Sequence, residues 1–149
     1  MSALKISSTK TLDFYSLDTV SNIKIPFVSS EVSAGFPSPA EDFIDKAIDL
    51  NKIFIKNVDA TFCARVKGNS MVNAGISDGD LIIIDRSLEP QDNKIAVCFI
   101  DGEFTVKRIK IEKDTIWLLA ENESYKPIKV TKDNEFVIWG IVTTAIKLL

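Results

Sequence analysis

A chain of 149 residues, 46% hydrophobic and 26% charged, holds enough apolar material to bury a core as one ordinary globular domain. Its formal charge of -3 argues against a protein whose main task is gripping phosphate backbones. The complete lack of histidine excludes a Ser-His-Asp triad and a Cys-His dyad, and with only two well-separated cysteines beside it no zinc ligand set at standard spacing is available.

The longest unbroken apolar run, Ile95 to Ile100, is far short of a membrane span, and the N-terminus has no apolar stretch of the signal-peptide kind. A cytoplasmic protein is therefore expected. The two cysteines, Cys63 and Cys98, fall inside strand-like runs and read as buried free thiols. The six glycines are scattered, so there is no phosphate-binding loop, and no metal or other cofactor is expected.

Residues 1–34 differ from the rest. Eleven of them are serine or threonine, and Leu4, Ile6, Leu12, Phe14, Leu17 and Val20 follow no helical period. An extended arm is predicted, with short strands around Ile23 to Val28. The arm ends in Val32-Ser33-Ala34-Gly35-Phe36-Pro37, where small residues bracket one peptide bond that a narrow cleft accepts in extended form. Ser38-Pro39-Ala40-Glu41 reads as a helix start, with serine as N-cap and proline at the first helical position. Phe43, Ile44, Ala47 and Ile48 form one stripe, which predicts a short helix over 39–48 that ends near Asp49 to Asn51.

From Ile53 onward strands and turns are expected. Thr61 to Val66 alternates as a half-buried strand, while Leu81 to Ile84 and Ile95 to Ile100 are continuous runs that suit strands covered on both faces. Asp101-Gly102 between two such runs predicts a tight hairpin. Thr115 to Ala120 and Phe136 to Thr143 complete a compact, mainly β body.

Gly68 allows a tight backbone turn just before Asn69-Ser70-Met71, with the Asp78-Gly79-Asp80 turn behind it. A serine on such a turn can stand at the mouth of a cleft, with the backbone N–H groups of Asn69, Ser70 and Met71 near enough to cradle an oxyanion. With no histidine, a lysine is the usual base for such a serine. Lys107 shares one face of the predicted strand Phe104 to Ile109 with Thr105 and Ile109. An inward face would lower its pKa by desolvation, and a neutral amine could take the Ser70 proton and return it to the leaving amine. Lys67 sits too close along the chain to aim easily at Ser70, and Lys94 and Lys110 adjoin predicted turns. From spacing alone, a solvated lysine and a plain connecting loop remain open.

Several linked motifs bear on that choice. Gly68-x-Ser70-Met71, then Gly75-Ile76, then Gly79-Asp80-Leu81, resembles the signature of the LexA/UmuD family of self-cleaving SOS proteins. Asp101-Gly102-Glu103-Phe104-Thr105-Val106-Lys107 is similar to that family's lysine strand, and Asn122-x-x-Tyr125-x-Pro127-Ile128 to a third element. Gly35-Phe36-Pro37-Ser38-Pro39-Ala40 and Ile48-Asp49-Leu50-Asn51 look like the stretch after the cleavage site in the UmuD branch.

The resemblance implies a β-rich catalytic domain of the LexA/signal-peptidase β-clip type over residues 35–149, with one short helix and an N-terminal arm, residues 1–34, that is cut away. It implies a homodimer whose Ser70/Lys107 dyad cuts the Ala34–Gly35 bond, stimulated by the RecA–single-stranded-DNA filament. The product would serve as accessory subunit of a UmuC-type translesion polymerase, without sequence-specific DNA binding or membrane attachment. Two departures stand out: the cleavage pair is Ala-Gly where the UmuD branch commonly has Cys-Gly, and Asn93-Lys94 replaces a usual Gly-Asp, where asparagine tolerates a left-handed turn. Three rivals are weighed against this reading. They are a LexA- or phage-repressor-like regulator, a signal-peptidase-type enzyme, and a binding module that keeps the fold without cutting.

Overall fold

Isoleucine- and valine-rich runs prefer a pleated backbone, and here they become strands. The computed structural model describes residues 5–18, 24–28 and 44–149. In chain order the elements are β1 (Lys5–Ser8), β2 (Leu12–Tyr15), β3 (Lys24–Val28), β4 (Ile44–Asp49), α1 (Leu50–Phe54), β5 (Thr61–Val66), β6 (Leu81–Asp85), β7 (Ile95–Ile100), β8 (Glu103–Glu112), β9 (Thr115–Leu119), β10 (Ile128–Lys129) and β11 (Phe136–Ile146). The protein is mainly β, and α1 is the one α-helix among the described residues.

Contacts divide the chain into two units, Met1–Asp18 with Asn57–Leu149, and Thr19–Lys56. The larger unit holds a nine-stranded antiparallel sheet in the order β1-β2-β5-β6-β11-β7-β8-β9-β10. Its central strand, β11, is long enough to serve two neighbours. Residues 136–141 pair with β7 and residues 141–146 with β6, so Ile141 faces both Ala96 and Asp85. The register shifts between Ile138 and Gly140, and there a Cβ on Gly140 would come 2.5 Å from the Ile84 side chain. That approach requires glycine.

Two apolar clusters form the core. Leu12, Phe14, Ala64, Val66, Met71, Ile76, Ile82, Ile84, Val97 and Val106 make one; Ala96, Cys98, Ile109, Leu118 and Ile141 make the other. Consecutive residues Ile82 to Ile84 and Ala96 to Cys98 are all buried, so β6 and β7 are covered on both faces as their continuous apolar runs predict. β5 departs from its predicted half-burial. Thr61 and Cys63 on its second face are also buried, because β2 and β6 flank it. Cys63 and Cys98 are buried free thiols. Asp101 and Gly102 both have positive φ, 47° and 86°, the mirror-image hairpin turn expected between β7 and β8. Asn93 takes the left-handed conformation at φ 68°.

The smaller unit corrects the predicted helix over 39–48. Residues 39–43 lie outside the described residues, but Ile44–Asp49 is a strand, paired antiparallel with Lys24–Val28 from Ile44↔Val28 to Asp49↔Lys24. A short apolar stripe fits either period, and here pairing with a neighbouring strand outweighs the local helix signal. The helix begins at Leu50, two residues beyond the last residue of the predicted stripe. Asp49 is its N-cap, its side chain accepting from the Asn51 N–H at 2.9 Å. The strand expected around Ile23 to Val28 is β3. Further upstream, the Ser/Thr-rich segment contributes β1 and β2 to the main sheet, with Leu12 fully buried and Phe14 nearly so.

Candidate active site

β5 ends at Val66, and the chain then turns through Gly68 at φ 94°. The turn is braced from behind. The Gly68 N–H donates to Asp78 Oδ1 at 2.7 Å, the Gly79 N–H to the Val66 carbonyl at 2.8 Å, and the Val66 N–H to the Asp80 carbonyl at 2.8 Å. Asp80 is itself pinned: its carboxylate accepts from Lys147 Nζ at 2.6 Å and the Ser77 N–H at 2.8 Å, which together hold its pKa below the ordinary value. Met71 plugs into the first core cluster at 1% exposure and anchors the loop on its far side. Asn69, Ser70 and Met71 are thus consecutive on a braced turn, with Ser70 half-buried.

Lys107 comes from β8, opposite Ala96 on β7, with a relative exposure of 6%. Its Nζ donates to Thr105 Oγ1 at 2.6 Å, to the Val106 carbonyl at 3.2 Å and to Ser70 Oγ at 3.4 Å. The Tyr125 ring lies 5.9 Å away. Among the described residues, Lys107 makes no ion pair. Burial therefore dominates and lowers its pKa from the ordinary 10.5, with Cys98 acting in the opposite direction. Burial also pushes the Cys98 thiol up to about 12, so at neutral pH it is protonated and supplies no counter-charge.

Two further segments tie the serine loop to the lysine strand. Asn122 Nδ2 donates to the Asn69 carbonyl at 2.8 Å, while Arg108 Nε on β8 donates to Glu121 Oε1 at 2.5 Å. The β1–β2 turn reaches the same place from the other side: Thr11 Oγ1 donates to the Phe104 carbonyl, and the Lys67 N–H donates to the Thr11 carbonyl at 2.8 Å. A cleft of about 160 Å³ results, lined by Thr11, Lys67, Gly68, Ser70, Lys107 and Tyr125 among others. Ala34 and Gly35 lie outside the described residues.

Thr105, Asn122 and Thr11 are the site neighbours to which sequence reasoning assigned no part. Thr105 carried a local signal, since it stands two positions before Lys107 on one strand and must share its face. Thr11 carried none, because nothing in its neighbourhood points to Phe104, distant in sequence. Among the described residues, no group of three or more His, Cys, Asp or Glu could hold a metal ion, and no helix is long and apolar enough to cross a membrane. The arrangement is suited to proton transfer between a hydroxyl and an amine. With the amine protonated, Nζ donates to Ser70; with it neutral, the serine proton can pass the other way.

Comparison with known proteins agrees with the geometry. The Peptidase S24-like family matches residues 26–143. Protein MucA of Salmonella typhimurium is 39% identical over 120 residues, 80% of this chain and 82% of its own. Protein SamA of Salmonella typhimurium strain LT2 is 39% identical over 121 residues, 81% of this chain and 84% of its own. The LexA repressor of Stenotrophomonas maltophilia is 40% identical over 119 residues, 80% of this chain but 56% of its own length. A serine and a buried lysine facing one cleft, in a β-rich body that aligns along most of its length with these relatives, place the chain in the Peptidase S24-like family.

Proposed function

We propose that this protein is a self-cleaving serine endopeptidase of SOS mutagenesis that cuts its own Ala34–Gly35 bond. Ser70 attacks the Ala34 carbonyl, Lys107 takes the hydroxyl proton and passes it to the leaving Gly35 amine, and the N–H groups of Asn69, Ser70 and Met71 hold the oxyanion. Water then releases the Ala34 carboxylate from the acyl-enzyme. No cofactor takes part. The observation that supports this most is the 6% exposure of Lys107 with its nitrogen 3.4 Å from Ser70 Oγ and, among the described residues, no carboxylate paired to it. Because substrate and nucleophile belong to one chain, docking of the 34–35 segment costs little translational entropy.

By resemblance to the UmuD branch, the RecA–single-stranded-DNA filament stimulates the cut in the cytoplasm. Residues 35–149, as a homodimer, then act as accessory subunit of a UmuC-type translesion polymerase. Family membership and the relatives MucA and SamA support this assignment.

The chemistry is tested without any activator by intact-mass analysis during incubation at about pH 10, close to the ordinary lysine pKa. A product spanning residues 35–149 is expected from the wild type and none from Ser70→Ala. Persistence of the full chain, or an equal yield from the variant, overturns the reading.

A further inference from the structure

The larger structural unit is discontinuous in sequence, since Met1–Asp18 joins Asn57–Leu149 while Thr19–Lys56, which contains the proposed scissile bond, forms the other. A cut at 34–35 therefore leaves β1 and β2 on one piece and the other seven strands of the main sheet on the other. What holds Lys5–Tyr15 in place afterwards is non-covalent, and it is extensive.

β2 pairs with the outer edge of β5 through Leu12↔Val66, Asp13↔Arg65, Phe14↔Ala64 and Tyr15↔Cys63. Leu12 is 0% and Phe14 5% exposed. The Phe14 ring meets Phe104 and Trp139 edge to face, at centroid distances of 5.2 and 5.0 Å. Polar contacts seal the same seam: Lys67 Nζ lies 2.8 Å from Asp13 Oδ1 and donates to Ser8 Oγ at 3.0 Å and the Thr9 carbonyl at 2.7 Å. An N-terminal strand tied into a sheet in this way is not a frayed end. Without it, β5 would present an unpaired edge, and Phe62, Phe104 and Trp139 would lose Ile6, Ser7 and Phe14 from the pocket they now line together.

We propose that the edge of β5 is a strand-docking site for the chain's own Lys5–Tyr15 hairpin, and that the hairpin stays seated after the chain is cut. Recognition is by added-strand hydrogen bonding, with Leu12 and Phe14 filling pockets and Asp13 answering Lys67. This deepens the proposed function. The processed form is then residues 35–149 with the N-terminal piece still bound to them, which keeps Thr11 in the wall of the cleft.

The test uses the full chain carrying Ser70→Ala, with residues 33–36 exchanged for the recognition sequence of a site-specific protease. After complete cleavage, verified by denaturing mass, native mass spectrometry at low micromolar protein is expected to find the two pieces together in equal number. Phe14→Ala in the same cut chain should release roughly tenfold more of the N-terminal piece, as loss of a buried aromatic side chain requires. Asp13→Asn, which removes the ion pair without opening the core, should release it severalfold more readily. Loss of the N-terminal piece from the chain lacking these two substitutions, or undiminished retention by both variants, overturns the proposal. The cut is made by an added protease, so this outcome is independent of whether Ser70 and Lys107 cleave the chain.

Discussion

Two lysines line the cleft beside Ser70, and their surroundings are opposite. Lys67 is partly exposed, paired with Asp13 at 2.8 Å and hydrogen-bonded to Ser8 and Thr9. Lys107 is buried, has no carboxylate partner among the described residues and is held by one hydroxyl and one carbonyl besides Ser70. Lys67 is thus an ion-paired surface group, while burial of Lys107 disfavours its ammonium form. Proximity to the Ser70 hydroxyl therefore does not by itself distinguish the two lysines. Burial does, and it lowers the pKa of Lys107.

The comparison breaks most directly by substitution. Lys107→Met is expected to reduce self-cleavage at about pH 10 by roughly 10²–10⁴-fold, the range for loss of a general base, measured from the intact-mass time course. Lys67→Met should leave the rate within about tenfold, through a looser hairpin rather than a lost proton acceptor. Equal losses from the two would erase the distinction.

The pH dependence sharpens it. If the neutral amine is the active form, the cleavage rate should rise about tenfold per pH unit and level off at the Lys107 pKa, below the ordinary 10.5. Thr105 Oγ1 accepts from the ammonium at 2.6 Å and so favours the charged form. Thr105→Val should move the bend to lower pH with a smaller change in the plateau rate, read from the full rate profile.

Stability carries the same contrast with a smaller expected effect. A lysine whose pKa falls on folding binds fewer protons in the native state than in the unfolded one, so stability rises with pH from the folded pKa up to about 10.5. Urea unfolding of a Ser70→Ala chain should show that rise, and Lys107→Met in the same background should flatten it. For the other lysine the sign sits at the acid end. Asp13, held by the hydrogen bond from Lys67 and then by Ser8, is lowered from 3.8 to about 2. Its contribution is complete above about pH 4 and is lost as pH falls toward 2. Asp13→Asn should therefore weaken the fold slightly at neutral pH and remove that acid limb, followed by circular dichroism from pH 5 to about 2.

Much of the body was legible in the chain because its signals are local. β5 and β7 match their predicted spans, and β6, β9 and β11 are found where apolar runs stand between turns. Asp101-Gly102 turns as its residue types demand. The stripe at Ile44 to Ile48 misled because five or six residues cannot distinguish a helical face from a strand that will meet a partner, and β3 is that partner. Residues 5–15 show a different limit. Their lack of a helical period reads as an extended arm, and only the fold shows that it pairs with β5 and buries Leu12 and Phe14.

By itself, the sequence determined which residues bear the chemistry on offer. Without histidine, a serine on a glycine turn needs a lysine, and the order of strands and turns delivers both to a β-rich body. Only the tertiary structure decided which lysine is buried and which is paired with a carboxylate. Desolvation and ion pairing depend on what folds over a side chain, and Cys98, Tyr125 and Asp13 reach these two lysines from distant parts of the chain.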